Sequence, residues 1–341
     1  MPRFIARWDL DKTYLRTDFD TLVDLVRTAI ERPDQKRTVP GAAALLRELG
    51  RAGVETHILS GSPEQLRSRI VEKLRLDGVK WASLTLKPNL QNMLLLRFRA
   101  LRGQLGYKLP ALLLRRAELE PQVDANGVLI KEVLLGDDAE ADAFVYSLYA
   151  DLCAGVVSAD TLPSLLERGG AYKDAIREAT RYLSYIQRGD AVERILIHLE
   201  RQSAPSDFRV YGKRVVPFYN YLQAAFVLHE DGRIPARAVL NVATELLVAY
   251  NFDPTALARS FADLARRGHV TGRGIPDLER SFSEELKRLT AASDLSAMIE
   301  QLGALSLPPP SAPEGTARPR FEVDYEHLVE HHNPRRAKKR R

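Results

Sequence analysis

Two aspartates stand one residue apart near the start of the chain, at the end of a short apolar run. The run RFIARWDL has the composition of a buried strand, and Asp9 and Asp11 lie at its end. Two carboxylates this close repel each other unless a cation or a proton lies between them. Mg²⁺ prefers oxygen ligands and keeps several waters, so one carboxylate and a few nearby oxygens would hold it. The pair predicts a divalent cation site, and the plain alternative is a solvated turn.

A second run of acids, in VLLGDDAEAD, supplies a further ligand from another strand. Gly136 makes a turn there, Asp137 stands at the end of an apolar run, and Asp142 follows with four residues between them. Ligands of open α/β sheets bind at the carboxyl ends of the strands, so Asp137 is expected beside Asp9. Asp138 is the alternative ligand, although its place before a helix is typical of an N-cap.

The segment ILSGSPEQL has the features of a phosphate-binding element. Ser60 ends a predicted strand, Ser62 stands at an N-cap position, and Pro63 takes the first helical position. Gln65 completes a capping box. The Ser60 hydroxyl and the backbone N–H of Gly61 would then face the same sheet edge as the aspartate pair, where the positive end of a helix favours an anion.

A cation should neutralise a phosphate bound at this edge. Lys108, in GYKLPALLLRR, lies just before a predicted helix that leads to the Asp137 strand. We prefer Lys108 to Lys87 and Arg115 for this role. The plain alternative is a solvated lysine.

The segments that carry these residues alternate between strand and helix patterns. Over residues 1–154, RFIARWDL, VETHILS, VKWASLTL and KEVLLGDD have strand composition with helical patterns between them, which is typical of a parallel sheet. Residues 155–305, including AVERILIHLE and YNYLQAAFVLH, are predicted to form an all-α domain of unknown role. Residues 306–341 are predicted to be a proline-rich linker and a basic, disordered tail, in which FEVDYEHLVEHH is a candidate docking segment.

Composition limits the class of protein. Apolar residues make up 45% and charged residues 28% of the 341, as in ordinary globular chains. The last seven residues, 335–341, carry six positive charges, which take the formal +5 of the chain to −1 for the remainder. This argues against a basic nucleic-acid-binding fold and makes the tail a candidate contact for an anionic surface.

One cysteine and no signal-peptide pattern predict a cytoplasmic protein, peripheral at a membrane if the tail binds lipid.

The aspartate pair, the strand-end serine, the lysine and the second acidic segment follow one another along the chain in an order that resembles the signature of the haloacid dehalogenase superfamily of phosphotransferases. That signature is an aspartate pair with a following threonine, a strand-end serine, a lysine, and Gly-Asp with a trailing aspartate. The segments VPGAAALLRELGRAGVETHILSGSPEQL and KEVLLGDDAEADAFVY are similar to the catalytic domain of actin-patch-associated phosphatidate phosphatases. The resemblance covers residues 4–150. It implies a Rossmann-like three-layer parallel sheet, followed in this chain by the all-α domain.

The resemblance also implies a Mg²⁺-dependent phosphatase. Asp9 would attack phosphorus to form an aspartyl-phosphate, and Asp11 would act as acid and then as base. The implied metal ligands are Asp9, the backbone carbonyl of Asp11, and Asp137, with Asp142 orienting the metal shell. The implied phosphate-binding residues are Ser60, Gly61 and Lys108.

The chain departs from the phosphatidate phosphatase pattern at the rim of the expected site. Lys12 stands where the family has Asp, Glu64 where it has an aromatic, and Asp138, Ala139 and Glu140 where it has Ser-Gly-Gln. Phosphatidate is one candidate substrate. Phosphoproteins, nucleotides and nucleic-acid ends are alternatives, and so is a non-catalytic binding protein on the same fold. The short gaps between motifs leave no room for a large cap, so an open site is expected unless the helical segment covers it.

Overall fold

A single sheet of six parallel strands lies at the centre of the computed structural model, which describes residues 3–15, 38–87, 101–285, 292–305 and 322–332. The strands are β1 (Phe4–Asp9), β2 (Glu55–Pro63), β3 (Ser83–Lys87), β4 (Lys131–Asp137), β5 (Val192–His198) and β6 (Val215–Phe218). They are arranged β3-β2-β1-β4-β5-β6, and every pairing is parallel. The expected parallel α/β sheet is confirmed.

Helices cover both faces of the sheet. In the described ranges they are α1 (Ala42–Arg51), α2 (Arg67–Leu76), α3 (Leu101–Ala117), α4 (Asp142–Ala154), α5 (Leu162–Arg168), α6 (Lys173–Leu183), α7 (Tyr221–Glu230), α8 (Ala236–Tyr250), α9 (Pro254–Arg266), α10 (Ile275–Glu285), α11 (Ala292–Gly303) and α12 (Tyr325–His332). Two 3₁₀ helices span Glu64–Leu66 and Pro205–Tyr211. No helix in these ranges is both long and apolar enough to cross a membrane.

Alternating side chains of the strands feed two separate hydrophobic cores. In β4, Val133 and Leu135 pack with α1, α2 and α7–α11, while Leu134 packs with α3–α6 and α12. Successive side chains of a strand point to opposite faces, so a sheet buried on both sides divides its apolar residues in this way. The result is a three-layer arrangement of helices, sheet and helices.

The expectation of an all-α segment over residues 155–305 is wrong, because β5 and β6 lie inside it. The segment AVERILIHLE, predicted as a helix, forms β5 beside β4. A strand buried on both faces is a continuous apolar run, which periodicity cannot distinguish from a buried helix. The four-residue β6 contains Pro217, which is tolerated because β6 ends the sheet order. The sheet therefore continues across the boundary expected at residue 154.

The strand order reverses between β1 and β4, and this reversal positions the candidate site. From β1 the chain adds β2 and β3 on one side, and from β4 it adds β5 and β6 on the other. The crossovers on the two sides leave a crevice at the carboxyl ends of β1 and β4, which is the usual ligand site of such sheets. Asp9 ends β1 and Asp137 ends β4.

A short C-terminal helix returns to the second core. Val323, Tyr325 and Val329 are buried there, as the expected docking segment requires. The predicted proline-rich linker over 307–320 and the basic tail over 335–341 lie outside the described residues.

Candidate functional site

A tight turn after β1 carries the first acids of the site. Tyr14 and Leu15 both donate backbone hydrogen bonds to the carbonyl of Leu10, and Lys12 takes a left-handed φ of 58°. The turn folds the chain back over the end of the strand, so that Asp9, Asp11 and Thr13 all remain buried.

Asp9, Asp137 and Asp142 form a buried acidic triad. Each offers a carboxylate oxygen, and these oxygens all lie within 4.8 Å of one another. The Thr13 hydroxyl lies between two of them, 3.4 Å from Asp9 Oδ2 and 3.3 Å from Asp137 Oδ2. The sequence prediction that these three acids come together is met.

Two local features bring Asp142 against the end of β4. Asp142 Oδ2 accepts a hydrogen bond of 3.2 Å from the backbone N–H of Asp137. A Cβ on Gly136 would lie 2.3 Å from the same Oδ2, so only glycine permits this approach.

Asp137 and Asp138, the two candidate metal ligands, make different hydrogen bonds. Asp137 Oδ1 accepts from the N–H groups of Ala139 and Glu140, at 2.6 and 3.1 Å, and its carboxylate belongs to the triad. Asp138 accepts instead from the N–H groups of Arg201 and Ser203. It therefore anchors the loop after β5 and is not the N-cap of α4, which is Ala141.

Ser60 and Ser62 hold the carboxylate of Asp11. Ser60 Oγ donates to Asp11 Oδ2 at 2.8 Å, and Ser62 Oγ lies 3.2 Å from both carboxylate oxygens. The predicted N-cap role of Ser62 is wrong, because β2 runs on to Pro63 and the turn that follows has no side-chain cap. The Ser62 hydroxyl contacts Asp11 in the site, and the capping-box motif had led to a different prediction for it.

The predicted position of the phosphate-binding helix is also wrong. A single 3₁₀ turn follows β2, and α2 begins only at Arg67. Gly61 lies at the carboxyl end of β2, half-buried beside Ser60. The sheet edge therefore brings Ser60 and Gly61 to the site without a helix N-terminus beginning at Pro63.

Lys108 lies inside α3, not before it, and its ammonium is surrounded by carboxylates. Nζ donates to Asp142 Oδ1 at 2.5 Å and to Glu140 Oε2 at 2.7 Å, and it lies 3.0 Å from Asp9 Oδ1 as an ion pair. Of the two rejected candidates, Lys87 lies at the rim of the site, with Nζ over the Tyr107 ring and within electrostatic reach of Glu140. Arg115 contacts Thr85 and Glu118.

Three further polar contacts were not predicted. Glu140 reaches Lys108 and also accepts from Gln104 Nε2 at 2.6 Å. The Tyr107 hydroxyl donates to the backbone carbonyl of Ser60 at 2.7 Å. The i,i+4 spacing of Gln104 and Lys108 on one helix is a sequence signal that points to Gln104.

Burial controls the ionisation of the site. It raises the pKa of Asp9 and Asp137 well above the ordinary range, with Lys108 opposing the shift in both. It raises the pKa of Asp142 to about 6 and also raises that of Asp11, to which the charge of Glu140 contributes. Burial alone would lower the pKa of Lys108, but its carboxylate neighbours raise it well above the ordinary value.

The donor set fits a hard divalent cation. Asp9, Asp11, Asp137, Asp142 and Glu140 bring five carboxylates around the ammonium of Lys108. Buried carboxylates are stable as anions only when paired or bound to a metal. Oxygen-only ligands are those that Mg²⁺ prefers, and the triad could supply them.

The expectation of an open site does not fit the structure. Asp9 is 1% exposed, and Ser60, Asp137 and Asp142 are fully buried. Part of this cover comes from the helical segment, since Tyr221 at the start of α7 stacks on Trp8 and donates to the Thr13 carbonyl. The helical segment thus covers the site at this point, which is the exception stated with that expectation.

Comparison with known proteins gives no relative for this chain. It matches no family model, no curated protein and no solved structure. The fold and the site geometry therefore carry the functional argument.

Proposed function

We propose that the chain is a metal-dependent phosphomonoester hydrolase that works through an aspartyl-phosphate on Asp9. The observation that carries this proposal is the convergence at one strand-order reversal of a buried acidic triad with Lys108, Ser60 and Asp11. A carboxylate nucleophile, a proton carrier and an anion-binding cation are the three groups that such chemistry requires.

The first step transfers the phosphoryl group to the protein. An oxygen of Asp9 attacks phosphorus, the bond from phosphorus to the ester oxygen breaks, and Asp11 gives that oxygen a proton. In the second step water attacks the aspartyl-phosphate and Asp11 accepts its proton, which releases phosphate and restores Asp9. The raised pKa of Asp11, caused mainly by burial, favours the protonated form that the first step needs.

A bound divalent cation would offset the repulsion between the carboxylate nucleophile and the phosphate. Asp9 and Asp137 would hold it, together with the backbone carbonyl of Asp11 that the sequence resemblance implies. Asp142 lies at hydrogen-bonding distance from Lys108 and Asp137, which suits an orienting role. The Ser60 hydroxyl and the Lys108 ammonium would bind the phosphoryl oxygens.

Two features support an assignment to the haloacid dehalogenase superfamily. The order of the motifs along the chain follows that signature, and Asp9, Ser60 and Asp137 lie at the carboxyl ends of adjacent strands in the order β2-β1-β4. The nature of the ester stays a proposal: phosphatidate is the candidate that the resemblance gives, and the altered rim residues favour testing soluble esters beside it.

The proposal is tested by hydrolysis of a generic aryl phosphate with Mg²⁺. Asp9→Asn keeps the shape of the side chain and removes its charge, so we expect the rate to fall by about a thousandfold or more. Asp160→Asn makes the same change on the exposed surface and should leave the rate unchanged. Chelation of the metal should also abolish turnover.

The outcomes separate the alternatives. Turnover that Asp9→Asn retains would overturn the covalent mechanism. No turnover with aryl phosphate, phosphatidate vesicles, nucleotides or phosphopeptides would favour a non-catalytic binding protein. A strong preference for the soluble esters over phosphatidate would exclude the lipid as the physiological substrate class.

A further inference from the structure

The ammonium of Lys108 is enclosed by three carboxylates. Three carboxylate oxygens, from Asp9, Asp142 and Glu140, surround Nζ at 2.5 to 3.0 Å. Nζ donates hydrogen bonds to Asp142 and Glu140 and lies 3.0 Å from Asp9 as an ion pair, so a phosphate oxygen that approaches Nζ competes with these carboxylates.

Two of the three carboxylates are fixed in place. Asp9 ends β1 and is 1% exposed. Asp142 is fully buried, is packed against Gly136, and accepts a second hydrogen bond from the backbone of Asp137. Moving either one would take apart the acidic triad.

Glu140 is the one that can leave. Its side chain is 16% exposed, the largest exposure among the carboxylates that contact Lys108, and it lies in the loop between β4 and α4. Its backbone is held by the N–H bond to Asp137, while its carboxylate contacts only the side chains of Lys108 and Gln104 among the contacts described. Rotation about its side-chain bonds therefore frees Lys108 without moving the backbone.

The negative charge of Glu140 affects the pKa of each aspartate of the site. It contributes to raising the pKa of Asp9, Asp11, Asp137 and Asp142, so its carboxylate opposes additional negative charge there. An incoming phosphate dianion meets the same repulsion, which is strong between poorly solvated groups.

We propose that the Glu140 carboxylate occupies the place beside Lys108 that a phosphoryl oxygen takes during turnover. Glu140 is thus an internal competitor that selects for ligands able to displace a carboxylate, such as a phosphate dianion. This inference rests on the proposed function, because it assigns Lys108 to the phosphoryl group.

The test measures binding of inorganic phosphate to the full chain in the presence of Mg²⁺ by isothermal titration calorimetry. Glu140→Gln keeps the shape and removes the competing charge, so its Kd for phosphate should fall at least about tenfold below that of the native chain. Glu118→Gln removes a carboxylate from an exposed pair with Arg115 and should leave the Kd unchanged. Phosphate should likewise inhibit Glu140→Gln at lower concentration in the aryl phosphate assay, through KM rather than kcat.

An unchanged or weaker affinity in Glu140→Gln would overturn the inference, as would failure of both proteins to bind phosphate. If the native chain still hydrolyses an ester in that case, the proposed hydrolase function is retained and the proposed role of Glu140 is rejected. If Glu140→Gln binds phosphate more tightly but no protein turns over any ester, the competitor stands and the hydrolase falls. A circular dichroism melt of each variant confirms that it folds.

Discussion

Gly136 leaves the space in which Asp142 joins the acidic triad. Gly136→Ala would place a methyl group 2.3 Å from Asp142 Oδ2 and 2.7 Å from its Cβ. Overpacking of this kind costs about 1–3 kcal/mol, because Asp142 or the strand must shift. We expect the free energy of unfolding to fall by that amount in urea denaturation, together with a loss of the proposed Mg²⁺ binding.

Gly106→Ala is the matched control for this change. Gly106 lies inside α3, two residues from Lys108, and a Cβ there meets no atom within 4 Å. Alanine should stabilise the helix by about 0.5–1 kcal/mol. Equal effects of the two substitutions would contradict the role assigned to Gly136.

At the residue scale, the sequence predicts site residues best where a chemically active side chain stands at the end of a predicted strand. Asp9, Ser60 and Asp137 follow apolar runs, and parallel strands bring such ends to one edge, so their meeting could be predicted. Glu140 could not be predicted, because its contact with Lys108 depends on how α3 crosses the loop after β4. Ser62 was hidden by a motif that fits an N-cap equally well, although its hydroxyl binds Asp11.

At the element scale, α12 is held to the second core by one buried polar contact. The Tyr325 hydroxyl donates to Asp151 Oδ2 at 2.5 Å, and its ring meets Phe144 edge-on. Asp151 is also paired with Arg214 at 3.0 Å, so its charge stays compensated without the tyrosine.

Tyr325→Phe removes only this hydrogen bond. A bond to a charged partner contributes about 1.5–3 kcal/mol, so α12 should open more readily by that amount. Hydrogen exchange of the α12 amides should rise by a factor of about ten or more, since 1.4 kcal/mol is tenfold. Tyr172→Phe, at a tyrosine that is 53% exposed, should change nothing. Unchanged exchange in Tyr325→Phe would show that this hydrogen bond does not hold the helix.

Elements were predictable where length and periodicity agree. The amphipathic helices α6 and α9 have one apolar face each, and their patterns indicate them directly. The strand β5 was mistaken for a helix because VERILIH is buried by layers on both faces and lacks the alternation of a half-exposed strand. Burial of a strand between two layers of helices depends on the tertiary structure, and a short apolar run in the sequence does not reveal it.

At the scale of the whole molecule, the sheet joins residues 1–154 to residues 155–305, which were predicted to form separate domains. Residues 1–154 contain β1–β4, but β4 pairs along its length with β5, from Glu132↔Val192 to Asp137↔His198. A fragment ending at 154 would expose β4 as an edge strand with apolar faces, which promotes aggregation.

We therefore expect fragment 1–154 to aggregate or to remain unfolded, while a chain ending at residue 305 retains all six strands and folds. Size-exclusion chromatography and circular dichroism melts of the two fragments provide the comparison. A monomeric 1–154 fragment with a cooperative melt would support the division into two domains at residue 154.

The all-parallel pairing also has a consequence for synthesis. In β1, Ile5 has as sheet partners Glu55 on one side and Glu132 on the other, so the central strand is completed only by a segment about 127 residues downstream. At roughly 5–20 residues per second, a ribosome needs on the order of 6–25 s to make that segment. Until that segment is made, β1 has at least one open edge, and before β2 is made it has two, so the nascent chain can be bound by a chaperone.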